Sequence, residues 1–364
     1  MKVINDLLPQ FQMYQEEYEA KALEVLRSGW YVLGKEVSAF EKEFADYVGT
    51  EYAVGVANGL DALWISLKVL GLKPGDEVIV QSNTYIATIM SITMVGATPV
   101  FVEPDAFYNL DEAKIEEKIT SNTKAIMVVH LYGQATKMDK IQALCKKYDL
   151  FLVEDCAQSH GAKFADQMTG TFGDIGCFSF YPSKNLGCFG DGGAVTTNNK
   201  SLADKIRIYR NYGSEKRYYN QVIGTNSRLD ELQAGLLRVK LKHMDELEQE
   251  RLIIANRFLS EINNPFVQLP EVKASCTHVW HLFVVYSKER DALQTYLEEK
   301  GIQTLIHYPI PPHLSEAYAY MGYQKGDLPI AEDYALHVLS IPLFNGMTKE
   351  QVDYIIGKIN SFAP

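Results

Sequence analysis

The sequence predicts an α/β protein: a large domain on a mostly parallel seven-stranded sheet, followed by a smaller α+β domain. Three observations carry this. Short apolar runs alternate with helical periodicity from about residue 50 to 200, the pattern of a parallel sheet covered on both faces. After Arg228 the pattern changes, and the stretch to Ile262 holds no proline and a single glycine, Gly235. The 364 residues, 47% hydrophobic, are enough for two domains.

In chain order, an N-terminal arm of about a dozen residues precedes the first helix. AVGVA, EVIVQ, PVFVE, AIMVV, LFLVE, CFSFY and GAVTT then read as strands. Leu60, Leu63, Trp64, Leu67 and Leu70 keep helical spacing, as do Met138, Ile141 and Leu144 with Cys145. The weakly polar run from Ile86 to Val102 contains Ser91, Gly96 and Pro99; it reads as a buried helix and a strand rather than a membrane span. Asp230 to Ile262 forms one or two long helices. HLFVVYS follows as a strand, RDALQTYLEEKG as a helix, IQTLIHY as a strand and KEQVDYIIGKINSF as the final helix. The domain boundary is placed near residue 245, giving domains of 1–245 and 246–364.

The net charge is −11 with both signs interspersed. No basic stripe exists for nucleic acid. Five cysteines without a CxxC pair fit a reducing cytoplasm better than a disulfide framework. The start, MKVINDLLPQFQ, lacks the basic-then-apolar pattern of a signal peptide. A cytoplasmic protein with no membrane partner is expected.

Two segments carry the chemistry. LFLVEDCAQSHGA places Asp155 at the end of a strand, the edge where open α/β sheets bind ligands. FSFYPSKNLGCFGDGGAV places Lys184 just past another strand, with glycines at 187, 190, 192 and 193. A lysine that forms a Schiff base and a carboxylate that holds a pyridinium nitrogen are what a pyridoxal phosphate (PLP) enzyme requires. Burial makes such a lysine less basic, which suits proton transfer. The plain alternatives are a turn aspartate and a surface lysine. Glu154, next to Asp155, is expected to point the other way. Gln158 offers an amide for the cofactor's 3-oxygen, while His160 is left without a role. Asn58-Gly59 joins a strand to an amphipathic helix, whose free N–H groups suit a phosphate. Tyr85 is placed to stack on a flat ring. Tyr181, Tyr219, His307 and Tyr308 are polar aromatics suited to sugar hydroxyls or, equally, to an interface. No metal-ligand set stands out.

With these residues in view, the chain resembles the DegT/DnrJ/EryC1/StrS sugar aminotransferases. The resemblance runs through SGWYVLGKEVSAFEKEFADYVG, NGLDALWISL, GDEVIV, VHLYGQ, VEDCAQSHGA, the Lys184 segment, TNSRLDELQAGLLRVKL and HYPIPPHL, in this order and over almost the whole length. It implies the fold type I architecture of aspartate aminotransferase and a homodimer with sites at the interface. It also implies PLP as cofactor and L-glutamate as donor of an amino group to a nucleotide-linked keto-deoxysugar. By position it makes Lys184 the Schiff-base lysine and Asp155 the pyridinium partner. Gln158 contacts the 3-oxygen, and Ser179 with Asn58, Gly59 and Leu60 holds the phosphate. Tyr85 is the stacking aromatic, and Asn226 reaches the phosphate from the other subunit.

Many relatives have Ser-Gly-Thr where this chain has Asn58-Gly59-Leu60, so a hydroxyl contact is missing here. A branch of the family with histidine in place of the lysine performs dehydration, whereas Lys184 argues for transamination. SGWYVLGKE, VHLYGQ, FYPSKNLG and IHYPIPPHL look most like enzymes that aminate C3 of dTDP-3-keto-6-deoxyhexoses. C4 amination, as in perosamine synthases, stays open, and a non-enzymatic sensor or scaffold is the rival of another class.

Overall fold

A computed structural model describes residues 3–364. Helices α1 (Leu7–Met13), α2 (Gln15–Ser28) and α3 (Lys35–Val48) come first. The expected arm is thus shorter than the sequence suggested. The Asp6 side chain accepts the Leu8 N–H, and Pro9 sits in the first turn, where its missing donor costs nothing. Glu231 closes the start of α3 by accepting the N–H groups of Gly34, Glu36 and Val37.

The seven expected strands are all present: β1 (Tyr52–Val56), β2 (Glu77–Gln81), β3 (Thr98–Val102), β4 (Thr123–Val129), β5 (Phe151–Asp155), β6 (Ile175–Ser179) and β7 (Gly193–Thr197). They form one sheet in the order β1-β7-β6-β5-β4-β2-β3. Every neighbouring pair is parallel except the two that β7 makes. Residues alternate between faces, as the pleat demands. Val78, Val80, Met127 and Val153 enter one core with Ile65 and Ile89. Ile79, Ile126, Val128 and Leu152 enter the other with Ile141 and Leu144. Helices α4 (Gly59–Val69), α5 (Ile86–Met94), α6 (Asp139–Tyr148) and α7 (Lys200–Tyr209) cover the sheet. The Ile86–Val102 run is the helix α5 and the strand β3, and no helix among the described residues is long and apolar enough to cross a membrane.

The helical stretch after Arg228 divides into α8 (Glu231–Leu241) and α9 (Met244–Glu261). Beyond it, β8 (Phe283–Tyr286) pairs with β9 (Val338–Ile341) in an antiparallel ladder. With α10 (Arg290–Glu299) and α12 (Lys349–Asn360) this region encloses a core of its own, containing Phe258, Phe283, Leu297, Leu339 and Ile355; α11 (Pro329–His337) lies between them in sequence. Tyr318, Leu328 and Ala331 instead pack into the core of the large sheet. IQTLIHY is not a strand. Its pairing stops at one bridge, Leu305 with Ser340, because the N–H that would continue the ladder, that of Val338, caps α11 by donating to Tyr334 O; the His307 carbonyl accepts the Tyr132 hydroxyl.

Candidate active site

The carboxyl ends of β1, β2, β5 and β6 share one edge of the sheet. Asp155 ends β5 and is buried. Its Oδ2 accepts the Thr88 hydroxyl at 2.9 Å and its Oδ1 accepts the Ala157 N–H at 3.1 Å. Burial pushes its pKa up, while these two bonds and the charge of Lys184 pull it down. Glu154 does point the other way. It accepts the N–H groups of Gly170, Phe172 and Gly173, and its Oε2 lies 3.0 Å from His130 Nε2. Because His130 Nδ1 accepts the Thr136 N–H, Nε2 is the protonated nitrogen. His130, Glu154 and Cys156 cluster within 4.8 Å, but the histidine and the carboxylate already have partners.

Lys184 lies in the turn after β6, where its N–H donates to Tyr181 O at 2.8 Å. The turn is tight, since a Cβ on Gly187 would fall 2.4 Å from Pro182 O. Asn185 anchors it through Nδ2 to Val279 O at 2.9 Å. The Lys184 ammonium is only partly exposed and makes no hydrogen bond or ion pair among the described residues. Burial lowers its pKa from 10.5 to about 8, against the opposing pull of Asp155.

A cradle faces this pair. At the start of α4 the Asn58 side chain accepts the Asp61 N–H, which leaves the N–H groups of Gly59 and Leu60 free. A Cβ on Gly59 would lie 2.6 Å from Ser179 Cβ, so glycine is required where helix and strand end meet. Ser179 Oγ accepts the Tyr181 N–H and keeps its own proton to donate. The Asp61 carboxylate, the one negative group in this turn, is held by Ser227 Oγ and Trp64 Nε1.

Gln158 is oriented by Tyr132. Its Oε1 accepts the Tyr132 N–H at 2.6 Å, so Nε2 is the outward donor, reaching Tyr308 Oη at 3.1 Å. Tyr308 therefore has its own O–H to give. The Tyr85 ring lies 5.2 Å from that of Tyr308 and is exposed. His307 Nδ1 is 2.8 Å from Ser340 Oγ, and burial lowers its pKa to about 4, with Lys184 adding to the effect. His160 is buried beside Phe178 and Phe180.

Two expected residues stand apart. Tyr219 is exposed on a short hairpin and its ring meets Lys216 at 4.7 Å. Asn226 is also exposed, bridged through its backbone to Asn211. Within one chain neither touches the Lys184 group. Thr88 and Tyr132 were not foreseen. The only sequence sign for Thr88 is its spacing of four from Thr84, just beyond the end of β2.

A profile of the DegT/DnrJ/EryC1/StrS aminotransferase family matches residues 12–360. The chain belongs to this family. It is 53% identical over 350 residues, 96% of each chain, to the dTDP-3-amino-3,6-dideoxy-alpha-D-galactopyranose transaminase of Aneurinibacillus thermoaerophilus. Among solved structures it is similar to Streptomyces venezuelae DesV in complex with a ketimine intermediate (TM-score 0.96, 45% identity, 98% of this chain and 97% of that one). It is also similar to the PLP form of a sugar aminotransferase, Spr1654, from Streptococcus pneumoniae (TM-score 0.87, 27% identity, 95% of each). The chain is an aminotransferase of the PLP-dependent fold, and PLP is its cofactor. The residues present fit that group: an unpaired buried-edge lysine, a carboxylate with a free acceptor position, and a three-donor cradle that a single Cβ would fill.

Proposed function

We propose that this aminotransferase converts a dTDP-3-keto-6-deoxyhexose to the dTDP-3-amino-3,6-dideoxyhexose, with L-glutamate as amino donor, in deoxysugar biosynthesis for a surface glycan or natural product. The observation that carries it is the 53% identity, over 96% of both chains, to a transaminase named for a dTDP-3-amino-3,6-dideoxyhexose. The working unit is a cytoplasmic homodimer whose sites draw on both chains, and the two domains divide near residue 245.

When bound, PLP supplies an electron sink conjugated to the carbon that carries the amino group. The protein does the rest. Lys184 would hold the cofactor covalently, and its amine would carry a proton to and from the reacting carbon. Burial lowers its pKa to about 8, which favours the neutral amine that accepts a proton. Asp155 holds the proton on the ring nitrogen. Ser179 with the N–H groups of Gly59 and Leu60 binds the phosphate, so backbone supplies what the Leu60 side chain cannot. Asn226 of a second subunit completes that cradle. Gln158 Nε2 donates to the 3-oxygen, and Tyr85 covers the ring face. Tyr181, His307 and Tyr308 hold the sugar hydroxyls.

The test is a single-turnover reaction of the enzyme, first aminated with glutamate, offered 3-keto and 4-keto dTDP-6-deoxyhexoses in turn. Amine at C3 by NMR of the product is expected. Consumption of the 4-keto sugar alone would replace C3 with C4 chemistry. Failure of glutamate to aminate the cofactor would remove the donor assignment.

A further inference from the structure

Serine and threonine inside helices commonly bond back to a carbonyl one turn earlier, and this chain follows the habit. Ser66, Ser91, Thr93, Ser260 and Thr295 each donate to a carbonyl three or four residues before them. Thr88, in the first turn of α5, does not. Its Oγ1 lies 2.9 Å from Asp155 Oδ2 and 2.8 Å from Thr84 Oγ1, and all three residues are buried. An ionised carboxylate only accepts, so Thr88 spends its one proton on Oδ2. The Thr84 hydroxyl must then donate to Thr88. The chain runs one way, from Thr84 through Thr88 to Asp155, and hydrogen bonds in series strengthen one another in a medium of low dielectric.

We propose that Thr88, backed by Thr84, is a positioning residue for the transamination, orienting Asp155 and sustaining its negative charge opposite the cofactor's ring nitrogen. The inference rests on the ring-nitrogen role of Asp155 given above. Burial opposes ionisation of this carboxyl. Against it stand the Ala157 N–H on Oδ1, the Thr88 hydroxyl on Oδ2 and Lys184 from the turn after β6, while His130 at the end of β4 lies near the same carboxyl. Glu154 and Cys156 on its own strand and turn, Cys177 on β6 and Tyr308 are the other titratable groups near it. Removing the Thr88 hydroxyl takes away one of two hydrogen bonds and leaves Oδ2 without a protein donor. The carboxyl then protonates at higher pH.

The test compares Thr88→Val, Thr88→Ser and Asp155→Asn. In the holoenzyme, Thr88→Val is expected to lower kcat/KM about ten- to a hundred-fold and to move the acidic limb of its pH profile up by about one pH unit. The visible absorption of the bound cofactor should titrate along the same displaced limb, and Thr88→Ser should restore both. In the apoprotein, the Tm deficit of Thr88→Val against wild type should grow as pH rises through the Asp155 titration, whereas a packing defect is independent of pH. Coincident limbs for Thr88→Val and wild type, or a Thr88→Ser variant that behaves like Thr88→Val, would overturn the proposal. If Thr88→Val does not fold, Thr84→Val, which cuts the chain one link earlier, must move the limb in the same direction or the proposal fails. Near-normal turnover of Asp155→Asn would remove the Asp155 role itself. An inactive Asp155→Asn beside an unmoved Thr88→Val limb would remove only the role of Thr88.

Discussion

Replacing Lys184 with methionine should stabilise the apoprotein near neutral pH while abolishing transamination. The lysine loses solvent on folding and its pKa falls from 10.5 to about 8. At 1.36 kcal/mol for each pH unit, the folded state carries a penalty of about 3 kcal/mol whenever the amine is protonated. The sign follows from proton counting. Between pH 8 and 10.5 the unfolded chain binds this proton and the folded one does not, so wild-type stability rises with pH across that window. Below pH 8 the penalty is present in full. Methionine has a similar length and no charge, so Lys184→Met removes the penalty and should gain up to about 3 kcal/mol below pH 8. The gain shrinks to nothing near pH 10.5. Urea unfolding of both apoproteins from pH 7 to 10 measures this as a difference, in which other titrating groups such as Lys240, lowered by its burial to about 7, cancel. Parallel stability profiles would refute the claim that the folded site strains the ammonium.

Three further outcomes follow from the geometry. Mixing Lys184→Ala with Asn226→Ala subunits should restore activity in hybrid dimers if each site draws on both chains; no recovery after confirmed subunit exchange would confine Asn226 to its own chain. Tyr308→Phe keeps the ring beside Tyr85 but loses the hydroxyl that Gln158 reaches, and should cost about 1–3 kcal/mol in kcat/KM, mainly in the sugar half-reaction by stopped flow; equal slowing with glutamate would assign Tyr308 to the cofactor. Glu154→Gln turns an acceptor of four donors into a group with its own N–H₂ facing them, and should cost on the order of 3 kcal/mol of stability by urea unfolding, with the cofactor's absorbance spectrum unchanged in the protein that remains folded.

The sheet was legible because its strands are buried on both faces, so LFLVE and AIMVV stand out as apolar runs between helical patterns. The ends of those strands brought Asp155, Ser179 and Asn58 to one edge without further information. IQTLIHY misled because alternation predicts a strand only where a partner ladder continues, and here the partner N–H of Val338 is spent on capping α11. The arm before α1 was misjudged for a local reason: Asp6 is a good N-cap, and Pro9 in the first turn was no obstacle. Thr88 and Tyr132 escaped because their work is orientation across 67 and 26 residues. Residue type alone does not announce that role.

Hydrogen-bond accounting distinguishes Asp155 from Glu154 and Glu231, two buried acids that build this fold. A carboxylate has about four acceptor positions. Glu154 meets three backbone N–H groups and His130, and so it is saturated. Glu231, closing α3, takes three N–H groups with nothing reactive beside it. Asp155, the very next residue after Glu154, takes only two donors, although burial makes an unpaired position costly. The same shortfall recurs at its neighbours: the ammonium of Lys184, the proton of Ser179, the N–H groups of Gly59 and Leu60, a second proton on Gln158 Nε2. The donors and acceptors left over around Asp155 are matched in kind by a phosphate, a ring oxygen, a ring N–H and an aldehyde carbon. That correspondence, more than any single residue, ties the sheet edge to its cofactor.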